Sequence, residues 1–185
     1  MIKNTKTLID FFLDNYIKDV NYAVDMTCGN GKDSLTIIQK YHPIKLYAFD
    51  IQKQAEDNTR ILFEKNKINT NAFKFILDSH ANIDKYVNFP IDLAIYNLGY
   101  LPKGDHNLTT NYIEVKESLE KLLPKLSEKG HIIISFYPGH PQGKLEATLL
   151  TEYLSKLDQT AYNILRFDFI NQRNNPPFCV LIERV

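Results

Sequence analysis

Apolar positions in this chain follow two rhythms. Short runs at Tyr22-Ala23-Val24, Leu46-Tyr47-Ala48-Phe49, Phe73 to Leu77, Ile91 to Tyr96 and His131 to Phe136 read as strands, each bounded by polar or turn-forming residues. Between them the period changes to that of a helix. Gln52 to Asn66 sets Ala55, Ile61, Leu62 and Lys65 among charges, and Tyr112 to Leu126 sets Val115, Leu119, Leu122, Leu123 and Leu126 on one face. Each segment is long enough for a crossover helix. The alternation therefore predicts an α/β fold with a mostly parallel sheet, helices on both faces, and ligands bound outside the carboxyl ends of the strands.

Past the fifth strand the pattern changes. A helix is expected over Leu145 to Leu157, then strands over Tyr162 to Ile170 and Phe178 to Ile182, joined through the polar loop Asn171 to Pro177 as an antiparallel hairpin. Five parallel strands closed by such a hairpin make a seven-stranded sheet, and this is the Rossmann-like layout of class I methyltransferases. The segment 1–19 carries Leu8, Phe11, Phe12 and Tyr16 at helical spacing, which predicts a helix packed on the sheet, with no chemistry assigned to it. No repeat or Gly/Ser/Pro-rich linker divides the chain, so residues 1–185 are expected to form one domain.

Composition narrows the classes. With 185 residues, 44% of them hydrophobic, a single core is sufficient without disulfides or a structural metal, which excludes disordered and small-scaffold readings. Cys28 and Cys179 form no CxxC pair and no metal-ligand spacing. Without a secretory apolar region at the start, a reducing, cytoplasmic setting is expected, and no apolar run approaches a membrane span. Twenty-two Lys and Arg balance 22 Asp and Glu, so there is no global attraction for long nucleic acid; a small RNA element remains a fitting partner.

Candidate chemistry begins directly after the first strand, at Asp25-Met26-Thr27-Cys28-Gly29-Asn30-Gly31-Lys32-Asp33. Glycines there let the backbone turn sharply and approach a ligand, and the helix that follows offers unpaired N–H groups. Asp50 ends the second strand about 20 residues on, where a carboxylate can accept both ribose hydroxyls of an adenosine. A plain tight turn with a solvated Asp is the simpler alternative. Nicotinamide cofactors fit less well, because Gly29-x-Gly31-x-x-Ser34 lacks the third glycine and Asp25 suits an amino-acid ammonium better than a pyrophosphate. No P-loop pattern occurs. After the third strand, Asp78-Ser79-His80 either meets the exocyclic amine of an adenine or caps a helix beginning at Ala81.

Three further loops lie at the same end of the sheet. Asn97-x-x-Tyr100 has the spacing of the Asn-Pro-Pro-Tyr loop of methyltransferases that act on exocyclic amines, with Leu98 and Gly99 in place of the prolines; a structural turn is the alternative. Tyr137-Pro138-Gly139-His140 offers a ring for stacking and an imidazole for proton transfer, or a solvated loop. In the hairpin loop Asn171 to Phe178, the amides, Gln172 and Asn174 among them, can read base edges and Arg173 can meet phosphate, or the loop with Pro176 and Pro177 simply turns the chain.

Taken together, Asp25-x-Thr27-x-Gly29-Asn30-Gly31-x-Asp33, Phe49-Asp50-Ile51-Gln52, Asn97-Leu98-Gly99-Tyr100-Leu101-Pro102-x-Gly104-Asp105, Tyr137-x-Gly139-His140-x-x-Gly143-x-x-Glu146 and Asn171-Gln172-x-Asn174-x-Pro176-Pro177-Phe178 resemble the MnmM family, the YtqB-type methylases, over nearly the whole chain. The resemblance implies transfer of a methyl group from S-adenosylmethionine to the 5-aminomethyl nitrogen of 5-aminomethyl-2-thiouridine at the tRNA wobble position. It implies a cofactor site on Asp25, Thr27, Cys28 (backbone), Gly29, Asn30, Gly31, Asp33, Asp50, Ile51, Gln52, Asp78, Ser79, His80 and Asn97. Substrate would meet Tyr100, Lys103, Asp105, Tyr137, Gly139, His140, Gln172, Arg173, Asn174, Pro176 and Pro177. Catalysis would rest on Asn97, Asp105 and His140, no metal being required, with the amine deprotonated by burial or by one of these groups. The expected partner is a tRNA anticodon stem-loop, and a homodimer would suit an anticodon-reading enzyme this small. Methylation of rRNA or of a small amine, and a non-catalytic cofactor-binding module for RNA assembly, are the competing readings. Cys179, inside the last strand, is expected to be packing.

Overall fold

Strands buried on both faces should be apolar throughout rather than alternating, and the central strands obey this. The computed structural model describes residues 1–99 and 111–185. In it β4 (Ile91–Leu98) is buried at all but Asp92 and Asn97, and the last seven residues of β5 (Leu126–Phe136) are all buried. Beside them lie β1 (Tyr22–Asp25), β2 (Lys45–Asp50) and β3 (Phe73–Leu77), with β6 (Tyr162–Phe167) and β7 (Phe178–Arg184) beyond. The sheet order is β3-β2-β1-β4-β5-β7-β6. The first five strands are mutually parallel, and β7 runs antiparallel between β5 and β6. This is the class I methyltransferase arrangement expected from the sequence.

One apolar core fills the face under α4 (Tyr112–Leu122) and α5 (Pro141–Leu154), with Tyr96, Phe136 and Leu119 among its members. The other lies under α1 (Thr5–Asn15), α2 (Lys32–Tyr41) and α3 (Lys53–Lys65), around Phe12, Ile37, Phe63 and Ile95. Register aligns the strand ends. Asp25 pairs with Ala48 and Ile95, while Asn97 pairs with Ser135, so the loops after β1, β2, β4 and β5 leave from one edge. Among the described residues no helix is long and apolar enough to cross a membrane.

Several boundaries differ from the expectation, each for a local reason. α1 spans only Thr5–Asn15, where Asn4 and Thr7 form a capping box, and its buried positions include Leu8, Ile9, Phe12 and Leu13 while Phe11 and Tyr16 face solvent. The buried stripe of α3 is Ala55, Thr59 and Phe63, an i, i+4, i+8 row; the expected Ile61 is 57% exposed. The connection from β3 to β4 holds a 3-10 helix, His80–Lys85, which starts one residue before the Ala81 of the capping reading. α5 begins four residues earlier than expected, at Pro141, because Pro is well placed at the first helical position. β5 gains five residues at its start, across a register shift opposite Ile91/Leu93, and β6 stops at Phe167.

Candidate active site

A cavity of about 1030 Å³ opens at the carboxyl edge of the sheet. Its first wall is the loop between β1 and α2. Gly29 (φ 54°) and Gly31 (φ 74°) both take left-handed backbone that a side chain disfavours, and a Cβ on Gly31 would lie 2.7 Å from Thr59 Oγ1. Thr59 is buried in α3 because it fills that space. The loop is tied to β2 by Cys28 N–H donating to the Phe49 carbonyl (2.8 Å) and Gly29 N–H donating to Asp50 Oδ2 (2.9 Å). No side chain caps α2, so its amino end keeps donors and positive dipole for a ligand.

Asp50 also accepts from Gln52 N–H (2.9 Å). Burial raises its pKa, and the backbone hydrogen bonds oppose that rise. A carboxylate has about four lone-pair positions, so two engaged N–H groups leave capacity for a diol. Farther along, Ser79 caps the 3-10 helix through Ala81 N–H, while Asp78 accepts from Tyr86 Oη (2.8 Å) and Asn82 Nδ2 (2.9 Å). Those bonds hold its carboxyl below the usual range. The capping reading of this segment holds for Ser79, and Asp78 and Ser79 both line the cavity. His80 lines it too, and burial drives its pKa down to about 4, so the ring is neutral.

Two residues of the glycine loop sit off the cavity wall, contrary to expectation. Asp25 is fully buried beneath the loop, accepting from Ser34 Oγ (2.7 Å) and Thr27 N–H (3.3 Å). Burial, with neighbouring Asp33, pushes its pKa up to about 7. It supports the loop from below rather than facing a ligand. Gly31 likewise does not line the wall; Thr59 occupies its free side.

The opposite wall comes from β4, β5 and the hairpin. Asn97 N–H donates to Thr27 Oγ1 (2.7 Å) and its Nδ2 donates to Asp33 Oδ2 (2.6 Å), which binds the end of β4 to the first loop. Tyr137 is half-buried with its hydroxyl 3.4 Å from that of Thr5, and partial burial raises its pKa. His140 is the N-cap of α5, its Nδ1 accepting from Gly143 N–H at 3.1 Å. That bond engages Nδ1 in capping α5. Gly143 must stay small, since a Cβ there would collide with the Tyr137 carbonyl.

The hairpin tip turns through left-handed Asn174 and Asn175, and Phe178 behind it stacks on Phe136 (4.7 Å) beneath the Arg166 guanidinium (3.9 Å). This anchoring carries Gln172, Arg173, Asn174, Pro176 and Pro177 to the cavity, together with Gly139. Thr27, Asn30, Ile51 and Gln52 line it as expected. Tyr100, Lys103 and Asp105 lie outside the described residues. Sequence reading missed Lys6 and Ile9 of α1, Lys32 and Glu114, all of which line the cavity. The amphipathic pattern of α1 signalled packing, and nothing in it distinguished the residues that reach the site. Cys28 and Cys179 are both buried thiols raised in pKa by burial, Cys179 as packing within β7.

Comparison with known proteins agrees with this fold. A Clostridium thermocellum protein described as a "putative rRNA-methylase" superposes with a TM-score of 0.93 at 34% identity, each chain covered fully. A "putative methyltransferase" from Streptococcus mutans, solved in complex with SAH, superposes at 0.89, again with 34% identity and full coverage of both. The chloroplastic tRNA (mnm(5)s(2)U34)-methyltransferase of Arabidopsis thaliana is 25% identical over 181 residues, which is 92% of this chain and 66% of that relative's length. A family model described as "Putative rRNA methylase" matches residues 46–183, and the chain belongs to that family.

Proposed function

We propose that this chain is an S-adenosylmethionine-dependent methyltransferase acting on the 5-aminomethyl nitrogen of 5-aminomethyl-2-thiouridine at the tRNA wobble position. The observation that carries the reading is that the Asp50 carboxylate and the Asn97 carboxamide line one cavity, beside the uncapped end of α2. The residues fit the cofactor. Asp50 would hold the ribose hydroxyls, Asp78 the adenine amine, and the backbone around Gly29 the close approach of the amino-acid portion. When bound, S-adenosylmethionine supplies a methyl group on a positively charged sulfur, open to in-line displacement. The protein's part is to orient and to manage the proton. An alkylammonium has no lone pair, so its extra proton must pass to solvent as the amine enters; Asn97 Oδ1 then accepts one of the remaining N–H groups of the neutral amine, and the ring of Tyr137 excludes water around it. No enzyme nucleophile is required.

The substrate assignment draws on the Arabidopsis relative's name and on the fit of Gln172, Arg173 and Asn174, at the rim, to a splayed anticodon loop. The family's description favours a second reading, rRNA. The test is nucleoside mass spectrometry of tRNA from cells lacking the protein, followed by incubation of that tRNA and of ribosomal RNA with purified protein and labelled S-adenosylmethionine. Accumulated 5-aminomethyl-2-thiouridine that the protein methylates establishes the first reading. Unchanged tRNA with labelled ribosomal RNA establishes the second.

A further inference from the structure

We infer that Asp33 is a positioning residue that fixes which face of the Asn97 carboxamide meets the substrate. The inference rests on the methyltransferase reading above. A carboxamide presents an acceptor on one side and a donor on the other, and nothing in the strand itself decides which way it points. Here the choice is made by α2. Asp33, in the first turn of that helix, receives Asn97 Nδ2–H at 2.6 Å through Oδ2. A carboxylate only accepts, so the flipped amide would set oxygen against oxygen. The backbone is already held by Asn97 N–H on Thr27 Oγ1, leaving rotation of the side chain as the remaining freedom. Once Nδ2 is turned to Asp33, Oδ1 is turned away from it. The acceptor is thereby set before any ligand arrives, and it is an acceptor that an incoming amine needs.

Lys6 of α1 completes the arrangement. Its ammonium lies 3.7 Å from Asp33 Oδ1 and also pairs with Asp10 at 2.5 Å, and both Lys6 and Asp33 line the cavity. The lysine gives the Asp33 charge a counterion without competing for the oxygen that holds Asn97. With His140 Nδ1 engaged in capping α5, Asn97 Oδ1 is the acceptor at the end of β4 that the Asp33 contact orients.

The test is the isosteric Asp33→Asn. An amide opposite Asn97 accepts either of its faces, so volume is kept and the orienting preference is lost. We expect kcat on wobble-uridine RNA to fall about 10- to 100-fold, as for misplacement of a catalytic group, a loss larger than any change in the dissociation constant for S-adenosylhomocysteine, whose cavity Asp33 also lines. In an Asn97→Ala background the same substitution should cost nothing more, because its effect passes through Asn97. Equal losses in both backgrounds, or a change confined to cofactor affinity, would overturn the inference. A readout without substrate is the side-chain amide resonance of Asn97, identified by its loss in Asn97→Ala. Wild type should show one proton shifted downfield by the charge-assisted bond, and Asp33→Asn should lose the shift. If wild type methylates no wobble uridine, the substrate assignment fails and this resonance alone decides the Asp33 inference; an unshifted amide refutes it.

Discussion

Two helices begin at the mouth of the cavity after a parallel strand and a glycine-containing loop, yet they begin differently. α2 starts at Gly31, in left-handed backbone, and has no side-chain cap; α5 starts at His140, whose own Nδ1 satisfies Gly143 N–H. A capped helix end has spent a donor internally, and an uncapped one keeps it for a ligand. The same motif type thus does two jobs: the first loop is a receptor, and the second is a fixed wall that presents Tyr137 and the His140 ring. Reading both as ligand loops because both contain glycine misses this division.

The comparison breaks most readily at Gly31. Gly31→Ala adds a Cβ 2.7 Å from Thr59 Oγ1 in a left-handed conformation, and we expect a loss of about 2–4 kcal/mol in urea unfolding. S-adenosylhomocysteine binding should fall beyond detection by calorimetry. Adding Thr59→Ala should return the steric part only. Next in size, Asp50→Ala removes a charged acceptor while leaving Gly29 and Gln52 N–H groups to water; cofactor affinity should drop by about 1.5–3 kcal/mol, or roughly 10- to 100-fold. An unchanged dissociation constant would place the ribose elsewhere.

The third prediction concerns two buried groups behind the receptor loop. Asp25 is raised to about 7, so the folded chain holds a proton there that the unfolded chain releases near 4; its stabilising contribution is complete below about pH 4 and is lost as pH rises to 7. His80, lowered to about 4, does the reverse: the unfolded chain takes up a proton below about 6.5, so stability is lost as pH falls from there. Urea midpoints measured from pH 4.5 to 8 should lose their alkaline decline in Asp25→Asn and their acidic decline in His80→Phe. The smallest effect is at the wall. His140→Ala removes a cap worth about 1 kcal/mol, and His140→Asn should restore it; stability restored without activity would assign the ring a substrate contact beyond capping.

Strand positions were legible because burial on both faces leaves apolar runs that hardly depend on context, as at Ile132 to Ile134. The receptor loop was legible because left-handed turns demand glycine. What failed depended on partners distant in sequence. Ile61 looks like core and Thr59 does not, yet Thr59 packs beneath Gly31 and Ile61 meets water. Asp25 resembles a ligand contact by its place before the glycines, and only its bond to Ser34 shows it to be a buried prop. The role of α1 at the cavity through Lys6 and Ile9 follows from where the helix docks, which its own periodicity does not encode.

The cavity recruits Lys6 from α1 and Pro177 from the threshold of β7, a strand slotted between β5 and β6. A pocket drawn from segments so far apart along the chain exists only when all of them are docked. Ligand occupancy and cooperative folding are therefore one equilibrium: at one hundred times the dissociation constant, a ligand adds about 2.7 kcal/mol to the whole unit. Amide exchange should slow in the interior of β7, at Val180 and Ile182, as much as in the loop that touches the ligand.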